Sequence, residues 1–193
     1  DIVMDYKRTW GKNSVRFIVA GNLQKMTIDE VNVPAKLNDT EEHRQTFLSD
    51  REKAFILASA PKQKGSLSLE YGYDKITIGT RLTYFGEVRL LGYGEDGLGI
   101  NPQVPTDADP NVYVPDEYIY SGKAVTDLYA SYRFCKCFRL SAGVDNVFNV
   151  HPDLGAVKNA RGWAFNNETG GPWDAVQMGG NGTRYFVKAA FSF

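Results

Sequence analysis

Apolar and polar residues alternate along much of this chain. In the last segment, 185–193, one row is apolar up to the C-terminus and consists of Tyr185, Val187, Ala189, Phe191 and Phe193. Because successive side chains of a strand point to opposite faces, this pattern predicts a β-strand with one apolar face. Six further segments alternate in the same way, at about 2–10, 14–28, 65–71, 75–91, 123–134 and 138–147. The chain is therefore predicted to be all-β, with about seven strands.

The connections between these strands fall into two length classes that alternate strictly. Three are short, near 11–13, 72–74 and 135–137, and three are long, at about 29–64, 92–122 and 148–182. Long connections without secondary structure are uncommon in compact domains, whereas transmembrane barrels have short periplasmic turns and long extracellular loops. The pattern thus predicts an antiparallel transmembrane β-barrel segment. Ser49 and Glu52 form a capping-box pattern, so we expect one or two short helices between 41 and 59.

Charged residues lie mainly on the opposite side of the alternating strands. A charge on the lipid face of a barrel costs about 2–4 kcal/mol near the bilayer midplane. We therefore expect the charged rows to face the lumen, where they line a wet channel or contact a plug. The residues with this predicted orientation are Arg81, Asp127, Arg133, Arg139, Asp145, Arg184 and Lys188.

Composition narrows the functional classes. The chain carries 22 Lys and Arg against 23 Asp and Glu, so it lacks the basic excess of nucleic-acid-binding proteins, and no nucleic-acid partner is expected. No apolar run approaches the roughly 18 residues that a membrane helix needs. The mean hydropathy is -0.36, a value that a barrel accommodates because alternate residues face a polar lumen.

Two motifs near the C-terminus resemble those of one protein family. Residues 140–149 read Leu-Ser-Ala-Gly-Val-Asp-Asn-Val-Phe-Asn, and residues 184–193 read Arg-Tyr-Phe-Val-Lys-Ala-Ala-Phe-Ser-Phe. Together with the stretches at 61–69 and 83–87, they resemble strands of a TonB-dependent outer-membrane receptor. The resemblance implies that residues 1–193 are the C-terminal part of such a barrel, without its plug domain and remaining strands.

The resemblance also implies a function. The parent would be a plugged, 22-stranded barrel in the cell outer membrane of a Gram-negative bacterium, surrounded by outer-membrane lipid. It would import a scarce nutrient, such as an iron chelate, a corrinoid or an oligosaccharide, with energy passed on by TonB. The barrel-assembly machinery would recognise the terminal row, through Tyr185, Val187, Phe191 and Phe193. Because bacterial barrels have even strand numbers, seven strands with Asp1 outside lead us to expect a longer parent.

Aromatic residues in the long connections are candidates for contact with the extracellular nutrient. Tyr and Trp offer large amphipathic surfaces that suit sugars and chelates, although barrels also place aromatics at the membrane interface. The candidates for substrate binding are Trp163, Trp173, Tyr93 and Tyr113.

The remaining motifs predict no catalysis, cofactor or metal. His43 and His151 lie in loops without a nucleophile partner, so no enzyme activity is expected. Cys135 and Cys137 are interpreted as two unbonded thiols at a turn, because residues two apart are poorly placed for an unstrained disulfide. The acidic stretch 107–111 begins like a calcium loop but is not followed by the glycine and glutamate that such a loop needs.

Two other functions are compatible with the alternation. The first is a passive porin or an adhesin barrel, which a plug domain in the parent gene would distinguish from an importer. The second is a soluble β-sandwich whose loops bind a ligand. A sandwich has polar outer faces, so the need for detergent separates it from either barrel.

Overall fold

The computed structural model describes residues 1–58, 61–93, 99–153 and 177–192. Antiparallel β-structure dominates, which confirms the all-β prediction. The strands are β1 Ile2–Trp10, β2 Asn13–Leu23, β3 Gln63–Tyr73, β4 Ile76–Phe85, β5 Val88–Leu91, β6 Ile100–Pro105, β7 Tyr113–Pro115, β8 Glu117–Tyr120, β9 Lys123–Arg133, β10 Phe138–Asp145 and β11 Arg184–Phe191. The helices are a 3-10 helix at Ala35–Leu37, α1 Glu41–Phe47 and α2 Asp50–Ala58.

Seven strands form one open antiparallel sheet, in the order β1-β2-β3-β4-β9-β10-β11. The first two hairpins turn over two residues, because Trp10 pairs with Asn13 and Tyr73 pairs with Ile76. Gly11 and Asp74 take positive φ angles of 53° and 54° in these turns, a conformation that Gly and Asp adopt with the least strain. Within the described residues, β1 and β11 are the two edges of this main sheet.

Two expectations about the strands and their connections are wrong. The segment 75–91 is not one strand: β4 ends at Phe85, and the N–H of Gly86 donates to the carbonyl oxygen of Gln63 at 2.8 Å. β5 then leaves the main sheet and pairs with β8. The connection 92–122 is not without strands, because β6 pairs with β7 inside it. These strands have six residues or fewer, too short for alternation to identify them.

The predicted helices are present between β2 and β3. The capping box at the start of α2 is confirmed, since the Ser49 N–H donates to Glu52 Oε2 at 2.7 Å and the Glu52 N–H donates to Ser49 Oγ at 3.1 Å. These two bonds satisfy backbone donors that a helix start leaves free. The Ser49 N–H and the Ser49 hydroxyl both donate to the Glu52 carboxylate, and these two bonds lower its pKa below the ordinary value.

The strand register joins the alternating rows into two faces. The apolar face consists of the row Tyr6, Phe17, Leu69, Thr80, Leu128, Val144 and Tyr185, and of the rows in phase with it. The polar face consists of the row Lys7, Arg16, Glu70, Gly79, Tyr129, Gly143 and Phe186, and of the rows in phase with it. In the described strands of the main sheet, Arg8 is the one charged residue on the apolar face.

The apolar face is not covered by the described parts of the chain. Leu69 is 46% exposed, Ile78 is 51% exposed and Val187 is 75% exposed. The buried apolar residues lie outside this sheet: Ala58, Val88, Leu90 and Tyr120 form a cluster where α2 packs against β5 and β8. We call this cluster the loop core. Among the described residues, no helix combines the length and apolarity needed to cross a membrane.

The turn between β9 and β10 contains a disulfide between Cys135 and Cys137, so the expectation of two unbonded thiols is wrong. The hairpin bends the chain enough to place the two Cα atoms 5.3 Å apart, within the usual range for a disulfide. The same turn holds the end of β11, because the Ser192 N–H donates to the carbonyl oxygen of Cys137 at 3.0 Å.

Candidate functional site

The polar face gathers the charged residues that alternation selected. The register aligns Arg81 with Asp127 across β4 and β9, and Asp145 with Arg184 across β10 and β11. Arg133, Arg139 and Lys188 lie on the same face, on β9, β10 and β11 respectively. All seven therefore share one side of the sheet. That this side lines a lumen stays a prediction.

Two ion pairs on the polar face are each joined by two hydrogen bonds. Arg184 donates to Asp145 Oδ2 through Nη2 at 2.6 Å and through Nε at 3.0 Å. Arg16 donates to Asp5 Oδ2 through Nη2 at 2.6 Å and to Oδ1 through Nε at 3.1 Å. Both pairs join neighbouring strands. Exposed ion pairs contribute little to stability in water, so these pairs align charge on this face more than they stabilise the sheet.

Aromatic rings on the polar face lie against glycines of the neighbouring strand. A Cβ atom added to Gly79 would be 2.3 Å from Cζ of Tyr129, and one added to Gly143 would be 2.6 Å from Cζ of Phe186. The Tyr129 hydroxyl donates onward to Glu70 Oε2 at 2.5 Å. The ring positions therefore require glycine at 79 and 143. Sequence reasoning missed this arrangement, although a glycine on one strand opposite an aromatic residue on the next is its signal.

The motif at 140–149 ends β10 in a hydrogen-bonded turn centred on Asn146. Asn146 has a φ of 52° and is 7% exposed, and its N–H donates to Asp127 Oδ1 at 2.9 Å. Its side chain makes two 2.8 Å bonds with the backbone of Val150, and the Thr183 hydroxyl donates to its carbonyl oxygen at 2.8 Å. The turn thus ties β9 to the residue that precedes β11. The motif that carries the family resemblance has a structural role here.

The candidate substrate-binding aromatics fall in different places. Tyr93 follows β5, and its N–H donates to Asp116 Oδ1 at 2.6 Å. Tyr113 begins β7 and pairs with Pro105 of β6. Trp163 and Trp173, like Phe193 of the terminal row, lie outside the described residues. The substrate-binding role of these four residues stays a prediction.

A cavity of about 300 Å³ lies beside the loop core and was not expected from the sequence. Met26, Leu57 and Leu90 contribute apolar surface to it, and Lys62, Arg89 and Glu117 contribute charge. Arg89 donates to Glu87 at 3.2 Å and to Glu117 at 3.3 Å, and these hydrogen bonds raise the pKa of its guanidinium. The cavity could hold a small amphipathic molecule, because it combines an apolar wall with fixed charges.

Asp153 lies in the connection between β10 and β11 and anchors it to the start of β9. Its carboxylate accepts a hydrogen bond from the Ser121 N–H at 2.8 Å and forms an ion pair with Lys123. Burial alone would raise the pKa of the Asp153 carboxyl, but the bonds from Lys123 and Ser121 outweigh it and lower that pKa. Gln177 donates to the carbonyl oxygen of Ser121 at 2.6 Å, so two separate loop segments meet at the start of β9.

The described part of the chain contains no group of three or more His, Cys, Asp or Glu side chains that could hold a metal ion. Asp109 is instead engaged in its own turn, where Oδ1 accepts the N–H of Asn111 at 2.8 Å. We found no family model, curated protein or solved structure that matches the chain significantly. The family resemblance therefore depends only on the sequence stretches named above, chiefly those at 140–149 and 184–193.

Proposed function

We propose that this chain is part of a transmembrane β-barrel in the outer membrane of a Gram-negative bacterium. The observation that carries the proposal is the apolar face, which extends across all seven strands of the main sheet and is exposed to the outside. Soluble monomers rarely expose contiguous apolar patches larger than a few hundred Å². Outer-membrane lipid is a partner that covers such a face, because barrel strands present alternate apolar residues to hydrocarbon.

Strand lengths and the aromatic residues support this proposal. The seven strands have 8 to 11 residues, and a membrane-crossing strand needs about 9–11. Large aromatic residues gather on the apolar face near the short turns, where an interfacial girdle is expected. They are Trp10, Tyr73, Tyr132, Phe138 and Phe191. Arg8 is next to this end of the sheet, so its long side chain can reach the interface.

The edges of the main sheet support a longer parent. β1 and β11 run in the same direction, because seven strands alternate between them. Unpaired backbone groups in hydrocarbon cost several kcal/mol each, so partner strands on both edges would stabilise the sheet in a membrane. An odd number of further strands closes the sheet with antiparallel pairs alone. In the proposed parent these strands, and the plug domain, come from the rest of the polypeptide.

We further propose that the parent is a TonB-dependent importer of a scarce nutrient, such as an iron chelate, a corrinoid or an oligosaccharide. The motifs at 140–149 and 184–193 support this assignment. In this arrangement the polar face lines the lumen, the long connections contact the nutrient outside, and TonB supplies energy through the plug domain of the parent. The terminal row serves as the signal for the barrel-assembly machinery. A passive porin or an adhesin with the same strands is the alternative.

The membrane assignment is tested by the dependence of folding on detergent. The 193-residue chain is refolded with and without detergent micelles, and strand content and oligomeric state are measured by circular dichroism and sedimentation velocity. We expect β-structure in a defined protein–detergent complex, and aggregation without detergent. A folded monomer in plain buffer would contradict the membrane assignment and favour the β-sandwich.

The importer assignment needs the full-length parent. Cells that depend on this protein are grown on candidate nutrients with and without a functional TonB. Growth that requires both the parent and TonB supports active import, whereas uptake that persists without TonB supports the porin. Deleting the parent's plug domain provides the control, because it leaves an open barrel that no longer couples to TonB.

A further inference from the structure

A cleft of about 630 Å³ lies on the polar face at the end of the sheet where the short turns are. Its walls come from β1, β2, β3, β4, β9 and β10, together with the two-residue turns. Six basic residues line it, against two carboxylates, Glu70 and Asp74. The basic residues are Lys7, Lys12, Arg16, Lys75, Arg133 and Arg139.

Like charges stand directly opposite each other on both sides of this cleft. Lys7 pairs in register with Arg16, and Arg139 pairs in register with Arg133. Directly opposite residues in an antiparallel pair have Cβ atoms about 4.5–5.5 Å apart, and like charges there are destabilising. Lys75 adds a third cation beside the second pair, because it lines the same cleft and its backbone is bonded to that of Arg133, whose N–H donates to the Lys75 carbonyl oxygen at 2.9 Å.

The protein neutralises the two pairs unequally. Arg16 is held by Asp5, as described above, so the charge on its side of the cleft is partly compensated. The guanidinium of Arg133 donates to an uncharged backbone oxygen of Asp74 at 3.4 Å. Within the residues that the structure describes, no carboxylate lies within 4.0 Å of the charged groups of Lys75, Arg133 or Arg139. Glu70 is engaged by the Tyr129 hydroxyl.

We propose that this cleft binds a soluble phosphate-bearing anion at Arg133, Arg139 and Lys75. A phosphate group has enough acceptor oxygens to receive two guanidinium forks and an ammonium at once, whereas one carboxylate is matched by a single fork. Hydroxyl groups of Thr77, Ser131 and Ser141 lie in the same cleft and are further donors. The anion would relieve the repulsion that the register imposes on the two arginines.

The anion reaches the cleft from solution. All three basic residues lie on the polar face or in its turn, opposite to the face that the proposed lipid would cover. The inference does not depend on the membrane assignment, because it uses the polar face alone. A failure of phosphate binding therefore leaves the membrane assignment unaffected. A negative detergent test likewise leaves the proposal of phosphate binding unaffected.

Titration with inorganic pyrophosphate at constant ionic strength tests the proposal. The full chain is measured by calorimetry in the medium in which it folds, as the wild type and as the double variant Arg133→Gln, Arg139→Gln. We expect saturable binding to the wild type and a loss of affinity of about tenfold or more in the double variant, because two charge-assisted forks are removed. Arg139→Lys should bind with intermediate affinity, because it keeps the charge but not the fork.

Two variants serve as controls for charge alone. Arg8→Gln removes one positive charge from the apolar face, and Lys188→Gln removes one from the polar face outside the cleft. Both should bind pyrophosphate with about wild-type affinity, since neither side chain lines the cleft. Losses equal to that of the single variant Arg139→Gln would overturn the proposal, because binding would then follow net charge. That single variant also replaces the double variant if the latter does not fold.

The source of the phosphate is tested separately. Phosphatidylcholine nanodiscs that hold the chain are prepared with and without phosphatidic acid. If phosphatidic acid protects the chain from thermal unfolding while pyrophosphate has no effect, the ligand is a lipid headgroup and the proposal of a soluble anion is wrong. If neither stabilises the wild type, the cleft is not a phosphate site.

Discussion

The loop core and the main sheet use apolar residues in opposite ways. In the loop core, Leu90 and Tyr120 are completely buried between α2, β5 and β8. In the main sheet, side chains of similar size on the apolar face remain exposed, as Leu69 at 46% and Ile78 at 51% show. The loop core resembles the interior of an ordinary soluble domain. The sheet has no interior among the described residues, so its apolar residues require a partner outside them.

The difference shows that the chain covers the apolar residues of the loop core itself but leaves those of the main sheet exposed. Burial of apolar area against other side chains stabilises the loop core in water. The same burial stabilises the sheet only when lipid, or another covering partner, removes its face from water.

Leu90→Ala should give the largest effect and should damage the loop core alone. Removing a completely buried leucine side chain costs about 2–5 kcal/mol, through lost transfer energy and the cavity that remains. Hydrogen exchange should show lost protection in β5 and β8, while β9 and β10 keep theirs. Val112→Ala is the control, because Val112 is exposed in the same region and should change little. An equal loss of protection in the main sheet would mean that the two regions unfold together.

Leu69→Arg should damage the main sheet in a lipid environment. The charge enters the middle of the apolar face, where the expected cost is about 2–4 kcal/mol. Free energies of unfolding by urea in phosphatidylcholine vesicles measure it. Ser66→Arg is the matched control on the same strand, because Ser66 lies on the polar face between Ala20 and Thr83. Equal effects of the two variants would contradict the assignment of the faces to lipid and lumen.

Asn146→Ala should loosen the turn that joins β9, β10 and β11. It removes two side-chain bonds to Val150 and places alanine at a positive φ, for a combined cost of about 1–3 kcal/mol. Urea unfolding and exchange of the Val150 amide report the loss. Asn146→Gly also removes the side-chain bonds but tolerates the backbone angle, so it should recover part of the stability. Equal stabilities of the glycine and alanine variants would show that the positive φ at position 146 does not destabilise the alanine variant.

The smallest effect should come from the pair formed by Asp39, just before α1, and His43, within α1. The Asp39 Oδ1 atom lies 2.6 Å from the His43 Nδ1 atom. The hydrogen bond to Asp39 raises the pKa of His43 above 6.5, and the same bond lowers the pKa of Asp39 below 3.8. The contribution of His43 to stability is therefore fully present below about pH 6.5, and it is lost as the pH rises through the raised pKa of His43. The aspartate contribution is lost as the pH falls through the lowered pKa. The pair thus favours α1 most between these two limits.

NMR titration of the His43 ring measures this effect. In Asp39→Asn, the pKa of His43 should fall back toward its ordinary value, while signals of β9 and β10 should not change with the pair. An unchanged His43 pKa in the variant would show that the hydrogen bond does not persist in solution.

The sequence predicted the existence of the seven long strands because each one carries a period-two pattern, although the segments expected at 14–28 and 75–91 end earlier, at Leu23 and Phe85. β9 was expected at 123–134 and is found at Lys123–Arg133, and β3 is found at Gln63–Tyr73 around the expected 65–71. The capping box of Ser49 and Glu52 was predicted equally well, since it depends on residues three positions apart. Both kinds of pattern depend on residues close together in the sequence, and so does the backbone conformation of the strands and helix that they predict.

Contacts between distant segments were not predictable in the same way. β5 pairs with β8 across about 25 residues, and nothing in either short strand specifies its partner. The fit of Tyr129 against Gly79 depends on the register of β4 and β9, which are separated by β5–β8. The Cys135–Cys137 disulfide depends on how sharply one turn bends. The charged cleft likewise appears only when Arg133 and Arg139 are brought opposite each other.

Sequence alone specifies alternating strands with one apolar and one polar side, because side-chain direction follows from the backbone geometry of each strand. The strand order and register of the folded sheet align the alternating rows of seven separate strands into two continuous faces. The tertiary structure also decided that the apolar face stays uncovered by the described residues while Leu90 and Tyr120 are buried. Hydrophobic residues seek burial without specifying a partner, so only the packed structure shows which of them the chain covers itself.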